Sequence, residues 1–446
     1  MDVTDTGSAD TQPKESASAL ARRSGGQSRI VIVGGGFGGV AAARELRRCD
    51  VKIVLIDRRN HHIFQPLLYQ AATAVLAPSE IAAPIRQLAG RQNNLSVMLA
   101  EVTGVDLESR VVETHSQGLA SRKIAFDYLI LAPGVQGSYF GHDEFAKYAP
   151  NLKTVADAEA IRAKILGAYE LAELTDDPAE RARLMTFVLV GAGPTGVELA
   201  ASIAQMATLT LRSNFRRIDP GKTSIVLLEG GKRILPSFAE TLAGAAAKRL
   251  ERLGVKVVTG AMVETIDQQG VVVAGKRIES ATVLWTAGVT PSPILKMLGA
   301  ETDRAGRVCV GPFMNVPDTA GVFVVGDGAT VTQDDRALPG VAQVAIQQGR
   351  YVGRFIGAEI RGRTTVRPFR YFDKGNMAVV GKNFAILERR RLRISGFVTW
   401  LIWAFIHLMF LPQLQNRLRV QTQWFWTYFT GQRSSRLIPE TGPRGD

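Results

Sequence analysis

Two short glycine runs carry the chemistry of this 446-residue chain. Gly34-Gly35-Gly36-Phe37-Gly38-Gly39 follows the apolar stretch Arg29–Val33, and Gly191-Ala192-Gly193-Pro194-Thr195-Gly196 follows Phe187–Val190. Each is a G-x-G-x-x-G spacing behind a strand pattern and ahead of an alanine-rich helix pattern. The first glycine permits the tight turn, the second lets the backbone approach a pyrophosphate, and the third lets helix and strand pack closely. The helix N-terminus then offers free N–H groups and partial positive charge to the phosphates. A single copy is weak evidence, because glycine is common. Two copies with the same flanks imply two nucleotide cofactors in one chain, and redox chemistry between them.

Five further positions stand out beside these runs. The strand Val51–Ile56 delivers Asp57, 23 residues after Gly34, where a carboxylate can accept from a ribose diol. In the second unit the matching acid is Glu229, 38 residues after Gly191, so an insertion of roughly Ala207–Thr223 is required. Glu229 would repel a 2′-phosphate, which favours NADH over NADPH. The stretch Ala320–Val325 delivers Asp327, placed to bond a ribityl hydroxyl. Behind it, Gln343 and Gln347 stand i and i+4 on one helix face, beside Ala342 and Ile346. Two neutral amides there suit a neutral polar ligand such as a quinone, with solvent exposure as the bland alternative.

These residues need two α/β units of the doubly wound kind. The expected fold is two Rossmann-like dinucleotide-binding domains, the second inserted in the first, plus a C-terminal membrane-associating helical segment. The expected boundaries are a disordered tail at 1–28, the first domain at 29–150 and 296–365, the second at 151–295, and the C-terminal region at 366–446. Two strand-to-glycine turns, at Gly134 and Gly288, resemble one another and suggest internal duplication. Residues 58–73 read as an irregular loop rich in His, Phe and Tyr, and 151–185 as a linker and a charged helix with Ile161, Ile165, Ala168 and Ala172 on one face.

The net charge of +13 is local. The last 86 residues hold fifteen Lys+Arg against four Asp+Glu, leaving the rest nearly balanced. That basic segment flanks Ile394–Leu411, 18 residues without a charge and closed by Pro412. At 1.5 Å per residue such a run barely reaches the ~30 Å hydrocarbon core. Its Trp and Arg neighbours fit an interfacial helical hairpin better than a span, and a membrane better than nucleic acid. Cys49 and Cys309 stand alone, with no C-x-x-C or C-x-x-x-x-C, which argues against a thiol-disulfide reductase. The five histidines show no metal-ligand spacing, so no metal site is expected.

The motifs together resemble the type II NADH dehydrogenases, single-subunit NADH:quinone oxidoreductases of the two-dinucleotide-binding-domain flavoproteins. The resemblance rests on Gly34–Gly39, Phe64-Gln-Pro-Leu-Leu-Tyr-Gln70, Gly191–Glu198, Val325-Gly-Asp327 and Ala342-Gln-Val-Ala-Ile-Gln-Gln-Gly349. It implies FAD at the first fingerprint, with contacts at Gly34, Gly36, Phe37, Gly38, Gly39, Asp57, Arg58, Gln65, Val102, Ala132, Gly134, Asp327, Ala342 and Gln343. It implies NADH at the second, with Gly191, Gly193, Pro194, Thr195, Gly196, Glu198, Glu229, Ala287 and Gly288. Glu198, Gln343 and Gln347 become the implied active-site residues, with Glu198 between nicotinamide and flavin. Pro133 departs from the usual Ala-Thr-Gly of related flavoproteins and removes one N–H donor. The implied partners are NADH, a membrane quinone and an anionic membrane surface on the cytoplasmic side of the cell membrane, with a homodimer left open. A soluble flavoprotein reductase and a non-enzymatic NADH sensor remain the alternatives. The first would not need residues 394–411, and the second would not turn over quinone.

Overall fold

The structure, a computed structural model, describes residues 27–90, 92–363 and 366–438. The expected disordered tail lies outside them up to residue 26. The described chain forms two compact units. One gathers the residues up to His62 with Pro84–Val135 and Pro291–Phe372; the other gathers Ile63–Ala83, Gln136–Thr290 and the residues from Asp373 onward.

The first unit is built on a five-stranded parallel sheet. Its order is Leu95–Leu99, Val51–Asp57, Ser28–Val33, Tyr128–Leu131, Val322–Val324. The strands are near-continuous Val, Ile and Leu because both faces are covered, and Ile30, Ile32, Leu55 and Ile130 are fully enclosed. Between the third and fourth strands in sequence comes an antiparallel meander, Glu101–Asp106, Val111–His115 and Arg122–Ala125.

The second unit repeats this plan. Its parallel sheet runs Val255–Thr259, Ser224–Glu229, Thr186–Val190, Thr282–Trp285, and its meander is Val263–Asp267, Gly270–Val273 and Lys276–Glu279. Strand order, meander position and the glycine turns at Gly134 (φ +70°) and Gly288 (φ +69°) all correspond. The helix read from periodicity runs Val155–Leu174, started by a Thr154–Asp157 capping box.

Two segments differ from their sequence reading. Residues 58–73, read as an irregular loop, hold short regular elements. Gln65–Leu67 and Leu68–Ala72 form two short helical turns whose Leu67, Leu68, Tyr69 and Ala72 are buried. A five-residue helix is too short to show a period. The apolar run 394–411 begins as the end of the strand Leu392–Gly396, in a small antiparallel sheet with Asn376–Val379 and Ala385–Arg389. The chain turns at Gly396 into the helix Phe397–Phe410 and, past Pro412, the helix Leu414–Thr430. Among the described residues, no helix is long and apolar enough to cross a membrane.

Candidate active site

In both fingerprints the loop has one geometry. Gly34 takes φ +104° and Gly191 φ +101°, and a Cβ on either would overlap backbone, at Ala132 or Ala287. No other residue fits there. By contrast, a Cβ on Gly36 or Gly193 would meet nothing within 4 Å. The helices Phe37–Glu45 and Pro194–Gln205 carry no side-chain cap at their N-termini. Helix N-termini left without a cap, beside open space, leave N–H groups for an outside acceptor. The residues therefore fit a dinucleotide in each loop.

The strand-end acids brace these loops. Asp57 accepts from the N–H of Gly35 at 2.6 Å and from Arg59 at 2.7 Å. Glu229 accepts from Ala192 and from Gly231, each at 2.8 Å. The long spacing to Glu229 thus leaves it in register, with the extra length taken up by a π-helical turn at Met206–Thr210 and the loop up to Lys222. Arg58 makes one exposed ion pair with Glu101, 3.9 Å away, which holds little. Val102 lies at a bulge in its strand. Gln65 is exposed and belongs to the unit of the second fingerprint.

The helix Ala342–Ile360 also starts without a side-chain cap, and it lies so close to Phe37–Glu45 that a Cβ on Gly349 would overlap the Gly38 carbonyl. Gln343 keeps a buried Oε1 without a hydrogen bond among the described residues. Gln347 is engaged: it donates to the carbonyl of Phe372 at 3.0 Å and accepts from its N–H at 2.9 Å. Gln348, which sequence reasoning passed over, is 1% exposed and accepts from Gly326 at 2.7 Å, fixing the turn that bears Asp327. Its signal was present, since 344, 345, 348, 349 and 352 form the helix's buried stripe and Gln348 is its polar member.

Glu198 lies one turn into the second fingerprint's helix. Among the described residues its carboxyl accepts one hydrogen bond, from the Val379 N–H at 3.3 Å, and burial pushes its pKa up to about 8, the hydrogen bond pulling the other way. The side chain is half-buried because part of it lines a cavity of about 140 Å³, whose wall includes Tyr69, Lys382, Trp400, Trp424 and Arg433. Arg433 is buried and donates to the carbonyls of Thr73 at 2.7 Å and Ser202 at 2.9 Å; burial lowers its pKa to about 9. Tyr69, Trp424 and Arg433 were not among the sequence candidates. A second, narrow cleft runs from Thr195, Ala287 and Gly288 of the NADH set to Asn151–Lys153.

A family model for pyridine nucleotide-disulphide oxidoreductases matches residues 28–349. The chain is 43% identical, over 92% of its length and 90% of the relative's, to the type II NADH:quinone oxidoreductase Ndh of Mycobacterium tuberculosis. It is 29% identical, over 93% of its length and 87% of the relative's, to the mitochondrial internal alternative NAD(P)H-ubiquinone oxidoreductase A1 of Arabidopsis thaliana. NDH2 of Plasmodium falciparum, solved in complex with NADH, has the same fold, with a TM-score of 0.84 at 19% identity, covering 92% of this chain and 99% of that one. The chain therefore belongs to the pyridine nucleotide-disulphide oxidoreductases and, among them, to the type II NADH:quinone oxidoreductases. Cys49 and Cys309 are both free thiols, so the disulphide chemistry in the wider family's name has no cysteine pair here.

Proposed function

We propose that the chain is a respiratory NADH:quinone oxidoreductase that does not pump protons, with FAD in the first loop and NADH in the second, working at the cytoplasmic face of a membrane. The observation that carries this reading is the pair of uncapped, glycine-lined loops, each braced by its own strand-end acid. A flavin supplies, when bound, a ring that takes a hydride equivalent from a nicotinamide and gives two electrons up to a quinone. Open space at Gly36 and Gly193 admits the two pyrophosphates. Asp57 and Glu229 hold the loop amides in place and face the riboses. Glu198 keeps a proton on its carboxyl at neutral pH. Gln343 offers an unused amide oxygen for a hydrogen-bond donor.

The C-terminal hairpin supports attachment to a membrane. Thr399, Trp403, Asn416 and Val420 face inward, while Val398, Phe405, Leu418, Phe425 and Phe429 are exposed. An exposed apolar face flanked by arginines suits an anionic lipid interface. Purified protein should contain one FAD, released by denaturation. Rapid mixing should show flavin bleaching by NADH and recovery on adding a quinone. A flavin that NADH bleaches but no quinone restores would overturn the reading.

A further inference from the structure

The two glycine loops match peptide by peptide, with one exception. The first glycine's N–H donates to the neighbouring strand, Gly34 to Ile56 and Gly191 to Leu228, each at 2.8 Å. The second residue's N–H goes to the strand-end acid in both loops. The carbonyl of that second residue is held differently. The Ala192 carbonyl accepts from the backbone N–H of Leu235 at 2.9 Å. The Gly35 carbonyl instead meets a side chain, with His62 Nδ1 2.9 Å away. Among the described residues it has no other donor.

A carbonyl oxygen can only accept, so Nδ1 carries the proton. Burial, the largest effect, holds the imidazole pKa below its usual value, so the ring is neutral at neutral pH and keeps that one tautomer. His62 is 5% exposed, and its ring stands edge-on to Phe37 with centroids 4.9 Å apart. Two residues earlier, the Asn60 carbonyl accepts from the Ile85 N–H at 2.8 Å, and the Ile85 side chain packs so close to Gly35 that a Cβ there would overlap it. The imidazole therefore has little room to leave the carbonyl.

The Gly35 C=O and the Gly36 N–H belong to one planar trans peptide and point in opposite directions. Fixing the oxygen therefore fixes the N–H, which points away from His62. Gly36 is exposed, its N–H has no partner among the described residues, and a Cβ there would meet nothing within 4 Å. We propose that His62 is a positioning residue for the flavin nucleotide: by holding the Gly35 carbonyl it aims the Gly36 N–H at the FAD pyrophosphate. The second loop does the same with a backbone donor, so the first alone depends on a side chain that substitution can remove. The proposal rests on FAD occupying the first loop.

The test uses the full-length, flavin-loaded protein. Phosphorus NMR of the bound FAD reads the pyrophosphate directly, and flavin fluorescence after dilution gives the release rate. His62→Leu should move the phosphorus resonances toward those of free FAD and speed release about tenfold, the effect of one lost hydrogen bond. His62→Asn keeps an N–H donor in the place of Nδ1, so it should leave both near the parent. Unmoved resonances in His62→Leu overturn the proposal, even if release is faster, because a general loosening would do that alone. So does a His62→Asn protein that melts like the parent but behaves like His62→Leu. Should His62→Leu not fold, nitrogen NMR of the parent decides. His62, identified by its loss in His62→Asn, must carry its proton on Nδ1, and a bare Nδ1 overturns the proposal. A parent whose bound flavin shows no pyrophosphate resonances fails the reading of FAD in the first loop instead, before any variant is made.

Discussion

The backbone N–H of Gly35 donates to the Asp57 carboxylate across 2.6 Å. The equivalent bond joins Ala192 to Glu229, so each strand-end acid holds the second residue of its own glycine loop. The acids thus have a structural duty before any ribose arrives. Asp57→Ala should weaken flavin retention through both the lost ribose acceptor and the freed loop. A charge-assisted hydrogen bond contributes about 1.5–3 kcal/mol, roughly ten- to a hundredfold in affinity. The flavin-to-protein ratio after dialysis checks this, and full retention would count against it.

At the second loop, Glu229→Gln removes the charge but keeps one acceptor for Ala192. The ratio of kcat/KM for NADPH over NADH should rise about tenfold, the effect of ~1.4 kcal/mol of relieved repulsion. An unchanged ratio would show that discrimination resides elsewhere.

Gln343 and Gln347 should separate in their effects. Gln343→Leu is expected to slow flavin reoxidation by quinone and to spare reduction by NADH. Gln347→Leu strips both partners from the Phe372 backbone, so it should also lower the melting temperature. Comparing melts with half-reaction rates distinguishes a ligand contact from a brace.

Truncation before Arg389 is a poor test of membrane binding, because it removes the strand Leu392–Gly396 from its sheet, the Trp424 partner of Gln70 and the buried Arg433. Charging the outer face is cleaner. Val398→Lys with Phe405→Asp should release the protein from anionic vesicles while leaving its melt unchanged. Activity with long-chain quinones should fall more than with short, soluble ones. Persistent sedimentation with vesicles would refute the anchor.

Burial holds the His407 pKa down at about 4. Its unfolded value is near 6.5, so the unfolded chain binds more protons between these limits. His407 therefore contributes full stability above about pH 6.5, and that contribution is lost as pH falls toward 4, by no more than roughly 3.5 kcal/mol. Trp403 stacks on this imidazole, with centroids 4.4 Å apart, and reports its departure. Acid should raise hydrogen exchange over 397–430 and change tryptophan emission, and His407→Gln should flatten both. Equal acid sensitivity in that variant would clear His407 of the role.

The fingerprints were legible because glycine spacing and an apolar strand are local, and each loop is built from a few consecutive residues. Asp57 and Glu229 were reachable by counting, once an insertion was allowed for. Residues 64–76 were not, since their burial comes from partners such as Ser202 and Trp424, more than a hundred residues away. The inner face of the hairpin was hidden for the opposite reason. A uniformly apolar run does not say which side faces protein, and only Asn416, whose amide reaches the carbonyls of Ser79 and Glu80, marks that side in the second helix.

The hairpin is fastened at both ends, by the strand Leu392–Gly396 before it and by the buried Arg433 after it. A segment pinned twice cannot serve as a leash. On a bilayer, the unit that carries Glu198 would keep a constant tilt, free to drift and spin about the membrane normal but not to roll. Its encounters with a lipid-dissolved substrate then become a search in two dimensions with one orientation already chosen.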